Sequence, residues 1–133
     1  MKELALKKTL LGDVENTCVA IGDAIKPFGF GILTRIDFDQ KIKEKLGESI
    51  AKCVILGACN PKLALDAYRQ NHDFALLLPC NIVVRELSGT EVSVEIMRPT
   101  LMMNLVDGIE DGRDAVQEAE KNLKTALDSL KGI

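Results

Sequence analysis

Two Cys-Asn dipeptides, Cys59-Asn60 and Cys80-Asn81, are where residue type and spacing in this chain suggest chemistry. Pro61 follows the first, and Asn-Pro is a strong helix start. Asn caps, and Pro takes the first helical position, where its missing N–H costs nothing. Cys59 then lies within a residue of a helix N-terminus, where unpaired N–H groups and the helix dipole favour a thiolate. Cys80 follows Pro79 at the entrance of a strand, with the Asn81 amide beside it. If the two strands are neighbours, the dipeptides converge at one edge of a sheet and form a small site of two thiols and two amides. Cys59 and Cys80 are therefore the catalytic candidates, and Asn60, Asn81 and Thr34 the ligand-contact candidates. The competing reading is ordinary burial. A free Cys behaves as a small hydrophobe, and both asparagines have structural work as cap and turn. Cys18, on a helix stripe, and Cys53, within a strand, read as core.

Other constellations are weaker. Cys59 and Cys80 lack the Cys-x-x-Cys spacing of a zinc site, and His72 is the only histidine. It sits in the polar run QNHD, so neither a metal set nor a Cys-His dyad is expected. Gly29-Phe30-Gly31 precedes a strand, so no helix N-terminus follows it to receive a phosphate. Asp37 reads as a helix cap, Asp39 as an exposed carboxylate, and Met97, Met102 and Met103 as core filler. No cofactor motif is present.

The elements that must position these residues follow from periodicity. Residues 4–10 alternate loosely, which fits a first strand or a short helix, Gly12 breaks the run, and Asp13 caps a helix with Val14, Cys18, Ile21 and Ile25 on one stripe. A second strand over 30–36 puts Phe30, Ile32, Thr34 and Ile36 on one strongly buried side. Asp37 and Gln40 have capping-box spacing and Gly47 ends the short helix, which should bury Phe38, Ile42 and Leu46. The run KCVILGAC over 52–59 is nearly continuous in apolar residues, as in a central strand covered on both faces. The Asn60-Pro61 helix buries Leu63, Ala64, Ala67 and Tyr68. Strands over 82–87 and 91–97 are joined by Ser88-Gly89-Thr90, a hairpin signal. Pro99 opens a short helix carrying Leu101, Met102 and Leu105. A long amphipathic helix with Val116, Ala119, Leu123, Leu127 and Leu130 follows, its Glu120 placed to pair with Lys124. The order β-α-β-α-β-α-β-β-α-α with a final hairpin predicts an α+β fold with a mixed or mostly antiparallel sheet packed by helices.

Composition bounds the rest. At 133 residues, 47% apolar and 28% charged, residues 1–133 read as a single globular domain. Aromatic residues make up 4%, with no Trp, so Ile, Leu, Val, Ala and Met must build the core. A net charge of −3 without a basic stripe argues against nucleic-acid binding, because Lys41, Lys43 and Lys45 are interleaved with Glu44 and Glu48. The near-apolar run 74–84 is far short of the ~20 residues that span a bilayer, so no membrane partner is expected. The start MKELALKKTLLGD lacks the apolar run of a signal peptide, which predicts a cytoplasmic protein with reduced thiols.

The stretches GFGILTRIDF (29–38), KIKEKLG (41–47), ILGACNPKLA (55–64) and LLLPCNIVV (76–84) resemble the family catalogued as domain of unknown function 302. With the terminal helices the likeness spans nearly the whole chain. The resemblance implies a compact α+β domain of the TATA-binding-protein-like grouping, commonly dimeric, with no established activity. That grouping concerns fold and implies nothing about DNA. Distant members are similar at Asn60-Pro61 and Leu78-Pro79 but lack the cysteines, which implies that the Asn-Pro turn is architecture and the thiols belong to this branch. The segment GIEDGRD (108–114) is unlike the family's usual connection.

Three readings of function follow. The first is a small-ligand-binding homodimer whose pocket lies near the two Cys-Asn turns. The second is a thiol enzyme or redox sensor, Cys59 attacking and Cys80 resolving. The third is an interaction domain that assembles through its C-terminal helix. Enzymatic and non-enzymatic roles both fit these residues, and no cofactor is indicated.

Overall fold

The computed structural model describes residues 3–132. Five strands form one sheet: β1 (Ala5–Leu11), β2 (Gly31–Asp37), β3 (Cys53–Cys59), β4 (Cys80–Glu86) and β5 (Glu91–Met97). Their order across the sheet is β1-β5-β4-β3-β2, and every neighbouring pair is antiparallel. The helices are α1 (Val14–Ile25), α2 (Phe38–Leu46), α3 (Pro61–Gln70), α4 (Pro99–Asn104) and α5 (Arg113–Asp128), with 3-10 turns at Lys26–Phe28 and His72–Leu77. The fold is α+β with the expected element order, and the sheet is wholly antiparallel.

Local signals account for most helix boundaries. Asp13 caps α1 by accepting from the Asn16 N–H at 2.8 Å, and Gly47 ends α2 in the left-handed conformation. Helices α1 and α5 lie side by side on one face of the sheet, α1 over β2, β3 and β4 and α5 against β1. The strands turn Val54, Leu56, Ile82, Val84, Val94 and Ile96 toward them, all fully or almost fully buried. From above come Val14, Ile21 and Ile25 of α1 and Ala119, Leu123 and Leu127 of α5. Each such aliphatic side chain contributes roughly 1.5–3 kcal/mol on leaving water. A second, smaller cluster lies beyond the sheet, where Ala67, Phe74, Met103, Val106, Ile109 and Val116 meet.

The second strand and helix depart from expectation. A register shift between Ile32 and Thr34 breaks the alternation of β2, so these two residues do not share a face. Ile32 lies on the α1 side, 3.6 Å from where a Cβ at Gly22 would sit, whereas Thr34 faces the side without α1 and α5. Phe30 is buried, but Ile36 is 47% exposed, so β2 has no strongly buried face. Helix α2 has no buried residue: Phe38 is 37% and Leu46 69% exposed, and Ile42 is half-buried. The amphipathic pattern is real, but α2 continues from the edge strand and touches the sheet chiefly at β3. There Asp39, expected to be free in solvent, accepts from the Cys53 N–H at 3.1 Å. Asp37 makes no cap hydrogen bond and instead pairs with Arg35 at 2.8 Å. Arg35 also grips Glu15 through two hydrogen bonds, and Lys52 joins them, holding the Glu15 carboxyl down to about 2.

Smaller corrections have tertiary causes. Glu120 accepts from Arg98, from the Thr100 N–H and from the Thr100 hydroxyl, while Lys124 pairs with Asp128. A partner at the start of α4 thus outcompetes the neighbour one turn along the same helix. Tyr68 is exposed and stacks on His72, and Leu105 is 69% exposed. The open face of β3 is only partly covered, with Ile55 half-buried. The apolar stripe of α5 is buried in the chain's own core, with Ala119, Leu123, Leu127 and Leu130 among its members.

The asymmetry between covered and uncovered positions is measurable by equilibrium urea unfolding. Leu123→Ala should cost about 2–5 kcal/mol, as buried Leu truncations do. Leu105→Ala, at an exposed position, should change stability by less than about 0.5 kcal/mol.

Candidate functional site

The sheet brings the two cysteines together. In the β3–β4 ladder Ala58 lies opposite Cys80, so Cys59 is one residue along from the facing position. The strand ends border a half-open cavity of about 50 Å³, lined by Ala58, Cys59, Asn60, Leu63, Ala64 and Cys80 together with Phe30, Phe74, Leu78, Pro99, Met102, Val116 and Ala119. Among the described residues no charged side chain lines it. It sits at the seam between the two apolar clusters: Ala58, Met102 and Ala119 belong to the larger, Phe74 and Val116 to the smaller.

Three of the five candidates border this cavity and two do not. Asn60 caps α3 as its sequence predicts, accepting from the Leu63 N–H at 3.3 Å, and its Nδ2 donates to the Phe28 carbonyl at 3.5 Å. Gly29 lies against that amide in a left-handed conformation (φ 86°), where a Cβ would come within 3.1 Å of Asn60 Nδ2. The side chain is therefore committed on both sides. Asn81 lies opposite Gly57 and is exposed, and Thr34 also pairs with Gly57. Strand alternation puts Gly57, Thr34 and Asn81 on the face turned away from α1 and α5, and neither Asn81 nor Thr34 lines the cavity.

Neither thiol is set up as a thiolate. Burial raises Cys59 above the ordinary thiol range, opposite to the lowering expected from its place beside α3. Cys80 is pushed up to about 12, mainly by burial, with smaller contributions from Cys59 and Glu120, and its Sγ donates to the Met97 carbonyl at 3.2 Å. All four cysteines are free. Among the described residues no three His, Cys, Asp or Glu side chains gather where they could hold a metal ion. No helix among the described residues is long and apolar enough to cross a membrane.

The model of the family described as "Domain of unknown function DUF302" matches residues 6–130. The chain belongs to the DUF302 family. Its structure is similar to the crystal structure of an uncharacterized conserved DUF302 protein from Bacillus stearothermophilus. The two are 25% identical with a TM-score of 0.80, over 96% of this chain and 98% of the other. No curated protein matches the chain.

Two side-chain amides at the end of α3 hold the connection beside the cavity in place. Gln70, at the end of α3, accepts from the Glu110 and Asp111 N–H groups at 2.9 and 3.0 Å and donates to the Asp111 carbonyl at 2.8 Å. Asn71 donates to the Asp107 carbonyl at 2.8 Å. These amides fasten the GIEDGRD connection and bury Ile109 completely beneath it. Local sequence signals identify Leu63 and Ala64 as helix-face residues, but Phe74, Met102, Val116 and Ala119 join the site only through the packing of three distant segments.

Alkylation against pH tests the thiol chemistry. Cys59, partly accessible, should react slowly with iodoacetamide, with a rate still rising above the ~8.5 of a free thiol. Cys80 should stay unlabelled until the protein unfolds. Rapid labelling of Cys59 that levels off below neutral pH would contradict this description.

Proposed function

We propose that this domain binds a small, uncharged, apolar ligand group at the seam between its two clusters, working as a cytoplasmic homodimer. The observation that carries this reading is the cavity at the ends of β3 and β4, apolar in its lining and without a charged side chain. At about 50 Å³ it exceeds the ~10–15 Å³ that a cavity needs to hold one water. It is well below the ~150 Å³ of a cavity that accepts benzene. A ligand therefore inserts a small apolar group, such as a methyl or isopropyl, and leaves the rest at the mouth. Cys59 and Cys80 act here as protonated, polarizable wall residues. A thiol-enzyme reading has less support, because a nucleophile or resolving thiol needs the thiolate that burial disfavours at both positions.

Xenon and isobutanol should shift the backbone amide resonances of Ala58, Ala64 and Ala119, while isobutyrate, with a charge to bury, should leave them unchanged. Ala64→Leu, which fills the cavity, should abolish the response. Absence of any shift with either neutral probe would refute the proposal. Replacing both Cys59 and Cys80 with Ala without altering the response would remove the thiols from it.

A further inference from the structure

We propose that the groove between the 3-10 turn at His72–Leu77 and the end of α4 docks a short segment of a partner protein, one that presents apolar side chains beside lysine or arginine. The inference does not rest on the ligand cavity, with which the groove shares no lining residue. The groove measures about 270 Å³. Its floor is Val106, buried in the smaller cluster, with Leu77 packed against that cluster. At its margins Leu76 is 84% and Leu105 69% exposed, and Leu76 is the most exposed large apolar side chain among the described residues. Covering side chains held that far into water is favourable. One amide fixes the shape between them. Asn71 accepts from the Asp73 N–H at 2.9 Å and donates to the Asp107 carbonyl at 2.8 Å, so a single side chain ties the two walls together. A partner therefore meets a preformed surface, which lowers the cost of ordering on binding.

The carboxylates define what the partner carries. Asp73 and Asp107 line the groove and no basic side chain does. Among the described residues neither carboxylate forms an ion pair. The segments that carry the groove, 66–77 and 104–114, add Asp66, Glu110, Asp111 and Asp114 against Arg69 and Arg113, and Arg113 is engaged by Asn104 at 3.3 Å. Opposite charge across an interface selects the partner and steers its approach. Nucleic acid and anionic membranes meet a rim of their own sign. The groove is also smaller than the roughly 300–1,000 Å³ of sites that enclose a whole small molecule. Apolar anchors in the middle and charge at the rim are the usual anatomy of a protein contact.

Amide spectra of the full chain titrated with the blocked peptide Lys-Leu-Leu-Lys test this. The expected result is a saturable shift, in the millimolar range, at Leu76, Leu105 and Asp107. Glu-Leu-Leu-Glu and Lys-Ser-Ser-Lys each lack half of the required chemistry and should cause none. Leu76→Ser/Leu105→Ser should abolish the response, and Asp73→Asn/Asp107→Asn should weaken it about fivefold, as the loss of exposed ion pairs does. All four positions are exposed, so both variants should keep the wild-type fold. If either fails to fold, the three peptides on wild type decide alone. No shift with millimolar Lys-Leu-Leu-Lys, an equal shift with either control peptide, or shifts at Ala58, Ala64 and Ala119 in place of the groove amides would each overturn the proposal. Shifts at the groove amides on concentrating the protein without peptide would make a second copy the occupant and overturn it as well. The cavity reading is tested separately by its neutral probes and does not fall with this one.

Discussion

There is no room for a side chain at Gly57, and the arrangement of the site depends on that. A Cβ there would lie 2.5 Å from Pro79 Cγ and would also collide with the Thr34 hydroxyl. Its backbone is not in the left-handed region, so glycine is needed for space and not for conformational freedom. Through this one contact β2, β3 and the entry to β4 are held at close approach just where the strands end. Ala58 follows with its methyl toward the helices, Cys80 lies opposite, and Cys59 stands at the margin. The same contact commits Thr34 to the far face, where it packs on Gly57 and is not available to a ligand in the cavity.

Two effects compete at Cys59, and magnitudes decide between them. A helix N-terminus contributes about 0.3–1 kcal/mol to a nearby negative charge, less than the 1.36 kcal/mol of one pKa unit. Withdrawing a thiolate from water costs several times more when the surroundings are apolar. Cys59 has Leu63, Ala64 and Leu78 about it in the cavity wall and no cation there, so desolvation prevails. The same reasoning gives the site its character. A wall without charge and with protonated thiols rewards apolar contact and penalises anions, which is why a ligand-binding role is supported over a nucleophilic one.

The sequence was most legible where structure is local. Asp13, Asn60-Pro61, Gly47 and the Ser88–Thr90 turn act within a few residues, and each does what its type and position suggest. The stripes of α1 and α5 were legible because both helices found a sheet to cover. Helix α2 has an equally clear stripe and buries none of it fully, because periodicity records an apolar face but not what lies opposite. The bulge in β2 leaves no mark in GILTRID, yet it decides the side on which Ile32 and Thr34 fall. Glu120 shows the same limit, since its preference for Thr100 and Arg98 over Lys124 exists only once α4 is docked. At the site, the positions of Cys59 and Cys80 at strand ends were readable, but their convergence depended on a β3–β4 pairing that the sequence left open. The clamp of Gln70 and Asn71 on the 107–111 backbone, and the walls from α4 and α5, were not readable, since they arise from contacts remote in sequence.

If Gly57 is the constraint that sets the site, its replacement must be felt at the cavity and not only in stability. The direct measurement is thermal unfolding of Gly57→Ala with its amide spectrum, beside Gly89→Ala, where an added Cβ meets nothing within 4 Å. The account predicts a loss of about 1–3 kcal/mol for G57A, the usual cost of overpacking. It also predicts displaced Ala58, Cys59 and Cys80 resonances, with G89A close to wild type in both respects. A G57A protein as stable as wild type, with those three resonances in place, would contradict it.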